Sequence, residues 1–143
     1  MKYLSIITLF VLMSTGLLAQ EKYLKDVQES QELSVKVVDL FKKNEIKASF
    51  ALLTPYWPMP QNELEAIEIK TIKYLNLIEE RFGAPIGSLK VKNETISDVA
   101  TRETYLIRYE NTAIRLIFTY YKNDKGWIVN AFKWDDSFGE EFE

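Results

Sequence analysis

The chain has no cysteine and no histidine among its 143 residues, and only five glycines and four prolines. Without cysteine there is no thiolate nucleophile and no disulfide scaffold; without histidine there is no Ser-His-Asp triad and no axial haem ligand. With both missing, the usual nitrogen and sulfur ligands of a structural zinc site are absent too. The chemistry left is that of carboxylates, hydroxyls, Lys/Arg and aromatics. A large excess of one sign of charge is lacking too. Eighteen Lys and Arg are scattered among 21 Asp and Glu for a net charge of −3, with no basic run beyond Lys42-Lys43. A surface of that kind does not track phosphates, so nucleic acid is not an expected partner.

The one long hydrophobic run is at the start. Lys2 supplies a positive flank, Leu4 to Leu12 an apolar stretch, and Ser14 to Ala19 a region of small residues ending at a cleavage point before Gln20. Residues 1–19 therefore read as a signal peptide. The apolar stretch is too short to favour a spanning helix of about 20 residues. No cysteine follows it to take a lipid, so no stable membrane anchor is expected after cleavage. The expected product is a secreted or periplasmic protein of residues 20–143. Losing 19 residues leaves 124, and losing Lys2 takes the net charge to about −4. A chain of that size buries about two thirds of its unfolded surface, enough for one core without covalent staples.

What is present falls into two halves. Leu33, Val37, Leu40 and Phe41 share one face of a helix from about Asp26 to Lys43. Asn44 then reads as the N-cap of a short second helix carrying Ile46, Phe50 and Leu53, which Pro55 stops. Three of the four prolines crowd into Thr54 to Pro60, a stiff loop presenting Tyr56 and Trp57. Leu64, Ile67, Thr71, Leu75, Ile78 and Phe82 mark a third helix, ended by Gly83 and Pro85. From Gly87 the period changes to two. Strands are predicted over Ser88 to Ile96, Thr101 to Tyr109, Thr112 to Lys122 and Gly126 to Trp134. Glu110-Asn111 and Asn123 to Gly126 supply tight turns between the last three. The fold class is α+β: three N-terminal helices packed on a curved antiparallel sheet of about four strands.

Those turns imply a register in which Leu106 faces Arg115, Leu116 faces Trp134, Phe118 faces Phe132 and Tyr120 faces Asn130. One face then carries Tyr105, Ile107, Ile114, Leu116, Phe118, Tyr120, Ile128, Asn130, Phe132 and Trp134, and covers the helices. Tyr105, Tyr120 and Asn130 are its polar-tipped members. Either they satisfy one another or they line a pocket for a small apolar ligand, with Tyr56 and Trp57 capping or plugging its mouth. On the opposite face Leu106, Ile117, Val129 and Ala131 form an apolar patch rimmed by Arg108, Arg115 and Lys133. That is the build of an association surface for a homodimer or an envelope-protein partner. Asp135, Asp136, Glu140 and Glu141 lack the alternating spacing of a calcium loop, so no metal is expected.

The segments DLFKKNEIKASFALL (Asp39 to Leu53), RFGAPIGS (Arg81 to Ser88) and TYYKNDKGWIVNAFKWDD (Thr119 to Asp136) carry a resemblance that spans nearly all of residues 20–143. With Gly126, Trp127, Val129 and Phe132 in the closing strand, the chain resembles small secreted members of the NTF2-like, cystatin-like-cone superfamily. The resemblance implies helices and a concave sheet enclosing a conical pocket, which some members use for isomerase or dehydratase chemistry and many for binding or association. It carries no catalytic signature. An isomerase of this kind needs an inward carboxylate, and the inward face from Tyr105 to Trp134 has none, Glu103 being the nearest. A dehydratase would need a histidine. The expected function is that of an exported non-catalytic domain acting through association, through binding in its cone, or both, without a cofactor. A small-molecule pocket protein is the alternative, and an isomerase-like enzyme stands last.

Overall fold

The computed structural model describes residues 22–143; the leader read over residues 1–19 lies outside the described residues. Helix α1 runs Val27–Lys42, α2 Ile46–Leu53 and α3 Gln61–Phe82, with a single 3-10 turn, Thr54–Tyr56, between the last two. Strands β1 (Pro85–Ile96), β2 (Ala100–Tyr109), β3 (Ala113–Lys122) and β4 (Trp127–Asp135) follow, and a second 3-10 turn, Phe138–Phe142, ends the chain. The strands form one open antiparallel sheet in sequence order, β1-β2-β3-β4. The protein is α+β, as the change of period predicted. No helix among the described residues is long and apolar enough to cross a membrane.

Local chemistry sets the ends of these elements. Asp26 caps α1, its side chain accepting from the Glu29 amide at 2.9 Å. Asn44 does not cap α2, contrary to expectation. It takes φ 58°, the left-handed conformation asparagine tolerates, and turns the chain out of α1. Gly83 ends α3 at φ 89°. The Asn111 backbone and side-chain nitrogens donate to the Phe82 carbonyl at 3.0 and 3.2 Å, tying the end of α3 to the β2–β3 hairpin. Gly126 has φ 151° and lies so close to Leu24 that a Cβ there would be 2.9 Å from the Leu24 carbonyl oxygen. Leu24 and Trp127 exchange two backbone hydrogen bonds of 2.8 and 2.9 Å, so the segment before α1 extends the sheet beyond β4.

Alternation holds through β2, β3 and the second half of β4. Leu106 faces Arg115, Leu116 faces Trp134 and Phe118 faces Phe132. It breaks at Asn130. Thr119 pairs with Ala131 but Tyr120 pairs with Val129, so Asn130 is the extra residue of a β-bulge. The bulge reverses the parity of the start of β4. Trp127 and Val129, expected on the outer face, are buried in the core, while Asn130, expected beside Tyr120, is exposed.

Phe132 is the centre of the core. Its ring meets Phe41 of α1 at 5.5 Å, Phe50 of α2 at 6.0 Å, Trp57 at 6.3 Å and Phe118 of β3 at 4.9 Å, the first three edge-on. Ser30 and Ser34, completely buried among larger residues, let α1 lie close to β2.

The outer face is not a free apolar patch. Asp135 takes the Arg115 Nε and Nη2 at 2.8 Å each, Glu140 takes Nη2 at 2.7 Å and Glu141 takes Nη1 at 2.8 Å. Glu141 also approaches Lys92 of β1 at 3.0 Å, an ion pair without hydrogen-bond alignment. The C-terminal turn is thereby strapped against the sheet. Arg115 and Ile117, expected to be exposed, are buried; Leu106 and Ala131 are half-buried, and only Arg108 and Lys133 on the rim of the proposed patch are fully open. Three of the acids near the C-terminal turn, Asp135, Glu140 and Glu141, converge on one guanidinium. A charge at position 117 should therefore act on the fold rather than on an assembly: Ile117→Glu is expected to lower the unfolding free energy by roughly 2–4 kcal/mol. Urea denaturation checks this, and a change below about 0.5 kcal/mol would place Ile117 on an open surface after all.

Candidate functional site

Two places bring chemistry-bearing side chains together. The first lies beneath α1. Glu103 alternates with Tyr105 and Ile107 on the inner face of β2, and none of its surface reaches solvent. Its Oε2 accepts from the Ser34 hydroxyl at 2.6 Å. Its Oε1 accepts from Lys90 Nζ at 2.6 Å and from the Tyr105 hydroxyl at 3.2 Å. The Ser34 and Tyr120 hydroxyls are 2.7 Å apart. Since a carboxylate only accepts and Ser34 has one hydroxyl proton, the order is Tyr120 to Ser34 to Glu103. Burial first, and then the charge and hydrogen bond of Glu103, raise the Tyr105 phenol well above its ordinary range. Tyr120 is raised chiefly by burial, against the opposing pull of the Ser34 bond. Both tyrosines stay protonated donors.

Every oxygen of that carboxylate is thus held by the protein's own donors. The stretch from Tyr105 to Trp134 holds no inward acid, as expected; Glu103, named there as the nearest, extends the same alternation one step further and is buried. The signal was present in the spacing 103, 105, 107. Ser34 was legible only as a small residue in a helical stripe, and Lys90 only as a strand lysine.

The second place is an open groove of about 620 Å³ between the C-terminal half of α3 and β4, the strand at the sheet's edge. Phe132 and Trp134 form its sheet wall, and Ile67, Thr71, Tyr74, Ile78 and Phe82 its helix wall. The Trp134 indole donates to the Thr71 hydroxyl at 3.2 Å, and its ring is 6.5 Å from that of Tyr74. Those contacts join the two walls. Tyr74 and Leu77 on the helix rim are 46% and 50% exposed, large apolar surface left facing solvent beside the groove. Lys70, Arg81, Lys133, Asp135 and Asp136 complete the lining.

The residues expected to line a single pocket are dispersed. Tyr105 and Tyr120 meet in the Glu103 network; Trp57 is buried edge-on against Phe132, plugging the core; Tyr56 is half-buried on the 3-10 turn; Asn130 faces solvent. None of the five lines the groove. The groove's own members were visible as the α3 stripe (Thr71, Ile78, Phe82) and as Trp134, but not as a cavity. Sequence periodicity assigns a face, whereas a groove depends on how far the helix stands from the sheet. No protein-family model, curated protein or solved structure matches this chain.

Two outcomes follow. Glu103→Ala leaves Lys90, Ser34 and Tyr105 without their acceptor and should cost roughly 2–4 kcal/mol in urea denaturation, below the value for a fully enclosed pair because Lys90 reaches water. A loss under about 0.5 kcal/mol would deny the network a structural role. At the C-terminal strap, hydrogen bonds from Arg115 are the largest cause holding Asp135 and Glu141 below their ordinary values of 3.8 and 4.5. Unfolded carboxylates then bind protons more readily than the native ones. The strap's contribution is therefore complete above about pH 4.5 and is lost as the pH falls through the depressed native values. The stability gap between wild type and Arg115→Gln should be full at pH 6 and shrink towards pH 3; a gap independent of pH would refute that coupling.

Proposed function

We propose that this chain is an exported, non-catalytic domain of the NTF2-like, cystatin-like-cone kind that binds a small molecule in the groove between α3 and β4. The observation that carries the reading is the groove itself. Its volume of about 620 Å³ falls within the range of small-molecule sites, roughly 300–1,000 Å³, and its walls combine aromatic surface with a few polar groups. Three helices followed by an antiparallel four-strand meander support the family resemblance, and the segment from Lys2 to Ala19 supports export.

The site differs from the one expected along Tyr105 and Tyr120, because that part of the interior is filled. Binding is favoured over association because the middle of the outer sheet face lies under the C-terminal strap. It is favoured over acid–base catalysis because Glu103, the buried carboxylate beside two tyrosines, has its oxygens occupied and stands outside the groove.

The three tryptophans provide the test, since Trp57 and Trp127 are core residues and Trp134 lines the groove. In a titration of ¹⁵N-labelled protein with anilinonaphthalene sulfonate, the Trp134 indole N–H resonance should move and saturate while those of Trp57 and Trp127 hold still. Saturable binding that leaves Trp134 unmoved, or no binding, would overturn the assignment of this groove.

A further inference from the structure

The groove carries a charge pattern that its apolar walls do not require. Lys70, Arg81 and Lys133 all line it, all are exposed, and none takes part in an ion pair among the described residues. The chain as a whole is acidic, at a net −3, whereas the groove's lining holds three cations against two carboxylates. The groove's two carboxylates offset them only in part. Asp135 is held in a two-point bond by Arg115, which leaves Asp136 as the one acid there without an ion-pair partner. The Arg81 guanidinium is 4.9 Å from the centre of the Phe82 ring, which keeps it over the groove's aromatic surface.

We infer that the ligand is a small amphipathic anion: an aromatic or aliphatic body lying along Tyr74, Ile78 and Trp134, with one acidic head group met by a cation of the helix wall, Lys70 or Arg81. This rests on the reading of the groove as a binding site and goes further by fixing the ligand's chemistry. Lys70, Tyr74, Ile78 and Arg81 lie on one stripe of α3, with Lys70 and Arg81 at its ends about 16 Å apart along the axis. One head group cannot bridge that span. It is held at one end, by Lys70 or Arg81 on the helix wall, while the body occupies the rest.

Two matched pairs of probes test this. Anilinonaphthalene sulfonate and its neutral parent phenylnaphthylamine share one aromatic body, and dodecanoate and dodecanol share one chain; each pair differs in the anionic head. The sulfonate should bind about tenfold tighter than its parent. Dodecanoate should displace it where dodecanol does not. Affinity should fall as salt rises from about 0.01 M to about 0.1 M, which shortens the screening length from roughly 30 Å to 10 Å. Of Lys70→Gln and Arg81→Gln, one should weaken the sulfonate about tenfold and the other leave it unchanged, while Lys133→Gln, on the opposite face of β4, should leave it unchanged. All three side chains are exposed, so unchanged melting temperatures verify the fold. If the neutral probes bind as tightly as the anionic ones, with no effect of salt or of either helix substitution, the anion assignment is overturned while the groove remains a binding site. If neither pair binds the wild-type protein at the groove, both fail.

Discussion

The fold depends on the packing around Phe132. One ring on the edge strand meets α1 through Phe41, α2 through Phe50, the proline-rich loop through Trp57 and the neighbouring strand through Phe118. These contacts are separately small, of the order of 1 kcal/mol beyond area burial for an aromatic pair, but they converge from four segments distant in sequence. They draw α1 and α2 onto the middle of the sheet. Helix α3 is joined to the hairpin at its end through Asn111 and to the sheet through Thr71 and Trp134. The groove is what remains between a helix held at those points and an edge strand whose ring at 132 is already engaged by the other helices.

A single inserted residue decides which side chains β4 contributes. Without the bulge at Asn130, Trp127 and Val129 would face outward and Ile128 and Asn130 inward, beside Tyr120. With it, the strand keeps Phe132 and Trp134 inside and adds Trp127 and Val129 to them. The polar tip that Asn130 would have placed next to Tyr120 is removed. The Tyr120 hydroxyl is satisfied instead by Ser34, and through it by Glu103. A buried carboxylate thus serves as the shared acceptor that pins α1 to the sheet.

The two sides of the sheet use charge differently. Beneath α1, one carboxylate gathers three donors; on the outer face, one guanidinium gathers three carboxylates and fastens the C-terminal turn over Ile117. Both arrangements consume their charges. Lys70 and Arg81, on the helix wall of the groove, enter no comparable network among the described residues.

The sequence by itself determined the secondary structure, the α+β class and most of the register, because these follow from periodicities of 3.6 and 2 and from turns such as Glu110-Asn111 that act over a few residues. The inward direction of Glu103 was determined there too, although its burial was not. The tertiary structure alone decided the bulge at Asn130, the burial of Arg115 and Ile117, and the groove. A bulge is set by whether Leu24 and the core accept Trp127, the cover over Ile117 by where Glu140 and Glu141 return in space, and the groove by the separation of α3 from β4. Each is a distance between segments far apart along the chain, and no local pattern of residues encodes it.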